Sequence, residues 1–139
     1  MKSVVLFCSV LLAVGSLSGS KAQSAVDCAG IVQRLNSRAA AISDTASSYW
    51  THRANFVDLI FGGSRHLPNH EQLAEQEKAQ ADPLKAGMPN TLANFEDLVA
   101  MAQSENCLSS TQLSAIVEPT VKLAKRVNFD QFPPEVPVE

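Results

Sequence analysis

CLSSTQLSAIVEPTVKLAKRV, residues 107–127, holds a cysteine, a helix start and an apolar stripe in one run, and the rest of the chain is placed relative to it. Ser109 reads as an N-cap. Its hydroxyl can accept from the Gln112 amide while the Gln112 side chain reaches back to the Ser109 N–H, the S-x-x-Q capping box. Leu108 before the cap and Leu113 one turn inside form a hydrophobic staple. Leu113, Ile116, Val117, Thr120, Leu123, Ala124 and Val127 then share one face at helical spacing. Lys122, Lys125 and Arg126 crowd the last turns, where the helix dipole favours positive charge. Pro119 cannot bond the Ala115 carbonyl and predicts a kink. Phe129, Phe132, Pro133, Pro134 and Pro137 end the regular structure.

Cys107 opens that run, and its partner is read from the compartment. Lys2 supplies a positive n-region, Val4 to Leu17 is uncharged, and Ser20 and Ala22 are small residues at the two positions a signal peptidase inspects. Residues 1–22 therefore read as a secretory signal peptide cleaved after Ala22. An uncleaved anchor is the competing reading, against which the apolar run falls short of the ~17–25 residues a span needs. Cleavage removes Cys8, Lys2 and Lys21, leaving Cys28 with Cys107 and taking the formal net charge from −3 to −5. An even cysteine pair in an oxidising compartment reads as one structural disulfide, with two free thiols or an intermolecular bridge as the alternative. The acidic balance argues against nucleic acid or anionic lipid as a partner. No Asn-x-Ser/Thr sequon is present.

Upstream, Asp27 caps a helix in which Ile31, Leu35, Ala39, Ile42, Ala46 and Tyr49 recur every three or four residues. The register continues through Phe56 and Ile60 to Phe61, and Gly62 and Gly63 stop it. One helix from 27 to 61 would run near 52 Å, about twice the length of the later helices, so its far end would lack a partner. The cysteines add a constraint, because a bridge needs the starts of the first and last helices within about 7 Å of each other. Four up-and-down helices put those starts at opposite ends. A break near Ser47 and Ser48 adds the missing reversal; the competing solution keeps the long helix and lets 69–81 cross the bundle end. Asn69 caps a short, mostly polar helix through Ala81. Pro83, Gly87 and Pro89 mark a linker over 82–89. A further helix carries Leu92, Phe95, Leu98, Val99 and Ala102 on one face. No period-two pattern appears. The expected fold is all-α, a small antiparallel bundle of four to five helices over 23–129 with one disulfide, followed by a flexible acidic, proline-rich tail at 130–139.

Chemistry-bearing patterns are sparse. His66 and His70 stand four apart beside Glu71, but Pro68 and Asn69 lie between them and no HExxH is present, so no metal site is expected. No G-x-S-x-G or other nucleophile context exists, and Glu96 and Asp97 point to different faces of their helix. Neither an enzyme nor a cofactor is expected. His52 and Arg53 beside Trp50 read as helix surface. The bulky set is more suggestive. Tyr49, Trp50, Phe56 and Phe95, with Ile116 and Leu123, either fill the core or, splayed around a kink at Pro119, line an apolar cavity between the first and last helices.

The stripe from Ile31 to Ile42 and the run from Leu108, with its L-S-x-x-x-x-x-x-I-V spacing, resemble the fungal hydrophobic-surface-binding protein A and cell-wall galactomannoprotein family over the final third of the chain. The resemblance implies an all-helical bundle that binds hydrophobic surfaces or fatty acids, with the cell wall as a destination. The expected function is thus a secreted binding protein for a hydrophobic ligand or surface, with no transmembrane segment in the mature chain. The alternative is a secreted protein-interaction module, an effector or inhibitor, without a small-molecule ligand.

Overall fold

The computed structural model describes residues 26–134. The expected signal peptide and its cleavage site lie outside the described residues, as does the end of the expected tail, 135–139. Three helices carry the fold: α1 at Cys28–Phe61, α2 at His70–Ser104 and α3 at Ser110–Asn128, with a 3₁₀ turn at Gly63–His66 between the first two. No strand occurs among the described residues. The class is all-α and Cys28 is bridged to Cys107, but among the described residues the α-helices number three, not four to five.

A seven-residue repeat explains the lower count. Leu35, Ile42, Tyr49 and Phe56 are buried in α1, Ala74, Ala81, Met88, Phe95 and Ala102 in α2, and Leu113, Thr120 and Val127 in α3. Each set steps by seven, the period that keeps one seam turned towards neighbouring helices along their whole length. Alanines at 46, 81, 102 and 124 are fully buried and let backbones approach, while Tyr49, Met88 and Phe95 supply bulk, also without exposure.

Both expected interruptions are corrected by these seams. Helix α1 does not break at Ser47 and Ser48. Its 34 residues have a partner of matching length in the 35 residues of α2, so its far end is not unsupported. Helix α2 does not stop at 82–89, although Pro83 and Pro89 lie inside it. Both prolines are exposed, so the Ala79 and Lys85 carbonyls they leave without a helical donor are not sealed under another helix. Meanwhile Ala81, Leu84, Met88 and Leu92, which flank the prolines in sequence, hold the inward face in the core. Removing two reversals at once preserves the parity that the disulfide demands. The chain runs up, down and up, and Cys28 and Cys107 meet at one end with their Cα atoms 5.1 Å apart.

Local signals set the ends. Asp27 accepts from the Gly30 amide at 2.9 Å. Ser109 and Gln112 form the reciprocal capping box, with Gln112 N–H donating to Ser109 Oγ at 3.3 Å and Ser109 N–H to Gln112 Oε1 at 3.0 Å. Helix α2 closes through Asn106, whose φ of 53° is left-handed. The Asn106 amide donates to Gln103 and the Cys107 amide to Ala102, the paired bonds of a Schellman turn. At the other end Asp58 accepts from Gly63 N–H and Ser64 Oγ–H. A Cβ on Gly62 would lie 2.3 Å from Asp58 Oδ1 and 2.8 Å from Asp58 Cα, so only glycine fits that turn.

Helix α3 is short, and this shapes the molecule. Its 19 residues rise about 28 Å against about 51 Å for α1. The upper half of the α1–α2 hairpin thus has no third helix beside it. Its own small core of Phe56, Leu59 and Ala74, with Val57, Ile60 and Leu73 at the margin, is separate from the main one. Phe132, in the segment that follows α3, packs against both cores. Among the described residues no helix is long and apolar enough to cross a membrane.

Candidate functional site

The helix end at Asn128 releases the chain as a strap over residues 129–134 with alternating exposure. Asp130, Phe132 and Pro134 are half-buried, while Phe129, Gln131 and Pro133 are exposed. The first part of the segment read as a flexible tail therefore packs on the bundle. The Asp130 carboxylate, 12 % exposed, accepts from Arg53 Nε–H at 2.6 Å. The same oxygen accepts from the Tyr49 hydroxyl at 2.5 Å. Lys85 Nζ donates to the Asp130 carbonyl. Two residues on, the Phe132 ring stands edge-on to Phe56 at 5.1 Å and to Tyr49 at 6.1 Å between centroids.

Tyr49 is held as a neutral phenol. Burial first, then the hydrogen bond and charge of Asp130, push its pKa well above the usual tyrosine range, and Arg53 offsets only part of this. The folded protein binds that proton more tightly than the unfolded chain. The resulting stabilisation is complete below the unfolded tyrosine pKa of about 10 and is lost as pH rises above it. Stability in urea is expected to hold constant through neutral pH and fall beyond pH ~10, and Tyr49→Phe should flatten that fall. Tyr49 is the only tyrosine, so phenolate absorbance reads its ionisation directly. An ordinary titration in the folded state would refute the assignment.

Beside the strap, Trp50 lies between two guanidinium groups. Arg53 Cζ is 5.5 Å and Arg126 Cζ 5.6 Å from its ring centroid, a cation–π pair from α1 and α3. Arg126 continues into an open groove of about 520 Å³ on α3, lined by Val117, Glu118, Val121, Lys122, Lys125 and Arg126. Phe129, whose amide bonds the Lys125 carbonyl, follows one turn beyond and is 80 % exposed. This face joins apolar surface to three basic side chains on a chain of formal charge −3.

The six residues expected around a ligand all pack against one of the two cores. Tyr49 and Phe95 have no exposure and Phe56 has 7 %. Ile116 and Leu123 are half-buried against the main core, as is Trp50. Tyr49, Trp50, Phe95, Ile116 and Leu123 meet in that core, and Phe56 belongs to the upper one. None of the six lines the groove on α3. Sequence reasoning missed Asp130, Phe132, Lys85 and the exposed Phe129. The available signal was a pair of phenylalanines in a segment otherwise polar enough to stay in water. His52 Nδ1 lies 2.7 Å from Glu77 Oε2 and joins α1 to α2. His66 and His70 Nδ1 face the carbonyls of Gly63 and Leu67. Among the described residues no three His, Cys, Asp or Glu side chains gather as a metal site. Compared with protein-family models, curated proteins and solved structures, the chain matches none.

Proposed function

We propose that this chain is a secreted, non-enzymatic helical binding module that engages its partner through its exterior, at the end of α3, and not by enclosing a ligand. The observation that carries the reading is the exposed Phe129 beside Lys122, Lys125 and Arg126, with Val117 and Val121 along the same groove. A large exposed aromatic and an arginine are the side chains enriched at interface centres, and Lys122, Lys125 and Glu118 give this face a charged margin of net positive sign. The aromatics that would have walled a cavity are spent on packing. The partner surface this face complements is apolar at its middle and acidic around it.

The test replaces Phe129 with a photo-crosslinking benzoyl-phenylalanine in the secreted protein. Irradiation in the medium that receives the protein is expected to give one discrete adduct. Lys125→Glu should abolish that adduct, and the same probe at Met101, on another exposed face, should not form it. Equal adducts from both positions would refute a specific face.

A second reading keeps a lipid but moves it outside. The groove is as suited to an acyl chain whose carboxylate meets Lys122 or Lys125, in keeping with the resemblance to hydrophobic-surface-binding proteins. Arg126 joins the groove to Trp50, the only tryptophan, so palmitate bound there should change its fluorescence saturably. Loss of that change in Lys125→Glu would favour this reading over a protein partner.

A further inference from the structure

We propose that the α1–α2 groove under the strap is a peptide-binding site, and that residues 129–134 are its displaceable occupant in cis. The partner is an extended segment of another protein with an acidic residue followed two positions later by an aromatic one. Its contacts are made by Asp130 and Phe132 and not by the exposed Phe129 that the reading of the α3 face rests on.

The groove has the two parts such a segment requires. Tyr49 Oη and Arg53 Nε converge on one carboxylate oxygen at 2.5 and 2.6 Å, and Lys85 Nζ reaches the backbone carbonyl of the same residue. Two donors on one carboxylate, one of them charged, select an acid over an amide. Two residues along the chain, the rings of Tyr49 and Phe56 meet an aromatic side chain edge-on. The two parts take side chains at i and i+2, and burial in the strap alternates to match, with Asp130 and Phe132 half-buried and Phe129 and Gln131 exposed. All of the donors and rings stand on α1 and α2, and the strap supplies only the ligand half of each contact.

The occupant is anchored at two residues only, Asp130 and Phe132, and it leaves α3 at Asn128, whose amide oxygen is buried without a hydrogen-bond partner. An orphan acceptor at that point is a group that gains by opening, since water can then reach it. Lifting the strap uncovers Phe56 and the margin of both cores, an apolar surface that a matching segment can cover in its place.

The probe is a fluorescein-labelled peptide of residues 128–134, titrated against the full chain and against Phe132→Ala and Asp130→Asn. Each variant loosens one anchor and leaves the groove intact. The peptide is expected to bind both variants saturably and at least about tenfold more tightly than the unaltered chain, whose strap competes at an effective concentration of order millimolar. Peptides carrying Asp130→Asn or Phe132→Ala should bind at least about tenfold more weakly than the unaltered sequence. Circular dichroism establishes that each variant is folded, and either one suffices for the comparison. Equal binding to all three proteins would overturn the proposal, as would binding indifferent to the peptide's acid and aromatic. Unfolding of both variants would make the strap part of the fold and overturn it as well. A dimer of the unaltered chain in sedimentation, abolished by Phe132→Ala, would assign the groove to a second copy and overturn the foreign partner.

Discussion

Reduction of Cys28–Cys107 is expected to remove about 4–5 kcal/mol of stability at most, the loop-closure entropy of a bridge with sequence separation 79. The bridge ties the start of α1 to the turn between α2 and α3, so both long helices lie inside the closed loop. Without it, the root of the bundle rests on the Schellman turn at Asn106, the capping box at Ser109 and the main core. Those are local devices or shared with a hairpin that does not need α3. Calorimetry with and without reductant, and on the Cys28→Ser/Cys107→Ser double variant, should show melting lowered by on the order of 20 °C. A change of a few degrees would mean that the seams alone fix the position of α3. The double variant also separates loss of the loop constraint from thiol chemistry.

The features legible in the sequence were those decided within a few residues or by parity. Ser109 with Gln112, Asp27 ahead of α1 and the glycine stop after Phe61 each act over one turn, and each is found where the residues place it. The cysteine pair is long-range, but setting aside Cys8 with the expected signal peptide left only one intramolecular pairing to expect. The two interruptions misread were cases where a local signal met a longer one. Pro83 and Pro89 each cost a helix interior about 3 kcal/mol against alanine, and read over a seven-residue window they end it. Read over thirty residues, Ala74, Ala81, Met88, Phe95 and Ala102 form an unbroken seam, and both prolines fall outside it at exposed positions. The same seven-residue step through Leu35, Ile42, Tyr49 and Phe56 shows that Ser47 and Ser48 interrupt nothing.

The strap was not legible for a different reason. Its bonds join residues 81 and 77 positions apart, Tyr49 and Arg53 to Asp130, and no periodicity encodes such a contact. An acidic, proline-rich composition reads as disorder because it lacks enough apolar surface to offset ordering entropy. Here a single ring, Phe132, finds a slot vacated by the shortness of α3, so the segment is ordered by what the rest of the fold omits. The packing of the candidate ligand residues was illegible for a related reason. Bulky aromatics predict burial, and whether they wall a void or fill one depends on the facing helix. In α2 that helix supplies Met88 and Phe95, which like Tyr49 are buried without exposure in the main core among alanines.

That distinction gives the second large effect. Phe95 has no exposure and sits in the main core with Tyr49, Met88 and Leu92, so Phe95→Ala should cost about 3–5 kcal/mol through lost burial and the void left behind. The void would be apolar, and voids of that kind stay dry and accept small apolar guests. Benzene is therefore expected to raise the melting temperature of Phe95→Ala and to leave the unaltered protein where it is, since a guest stabilises only the state that has room for it. The comparison bears on function as well as stability. If benzene or palmitate raised the melting temperature of the unaltered protein as much as that of the variant, the interior would already hold usable space. The module would then be an enclosing carrier and not a surface binder. If only the variant responds, the bulky residues of α1 and α2 are committed to packing, and binding falls to the side chains the fold leaves outside, Phe129 and the basic face of α3.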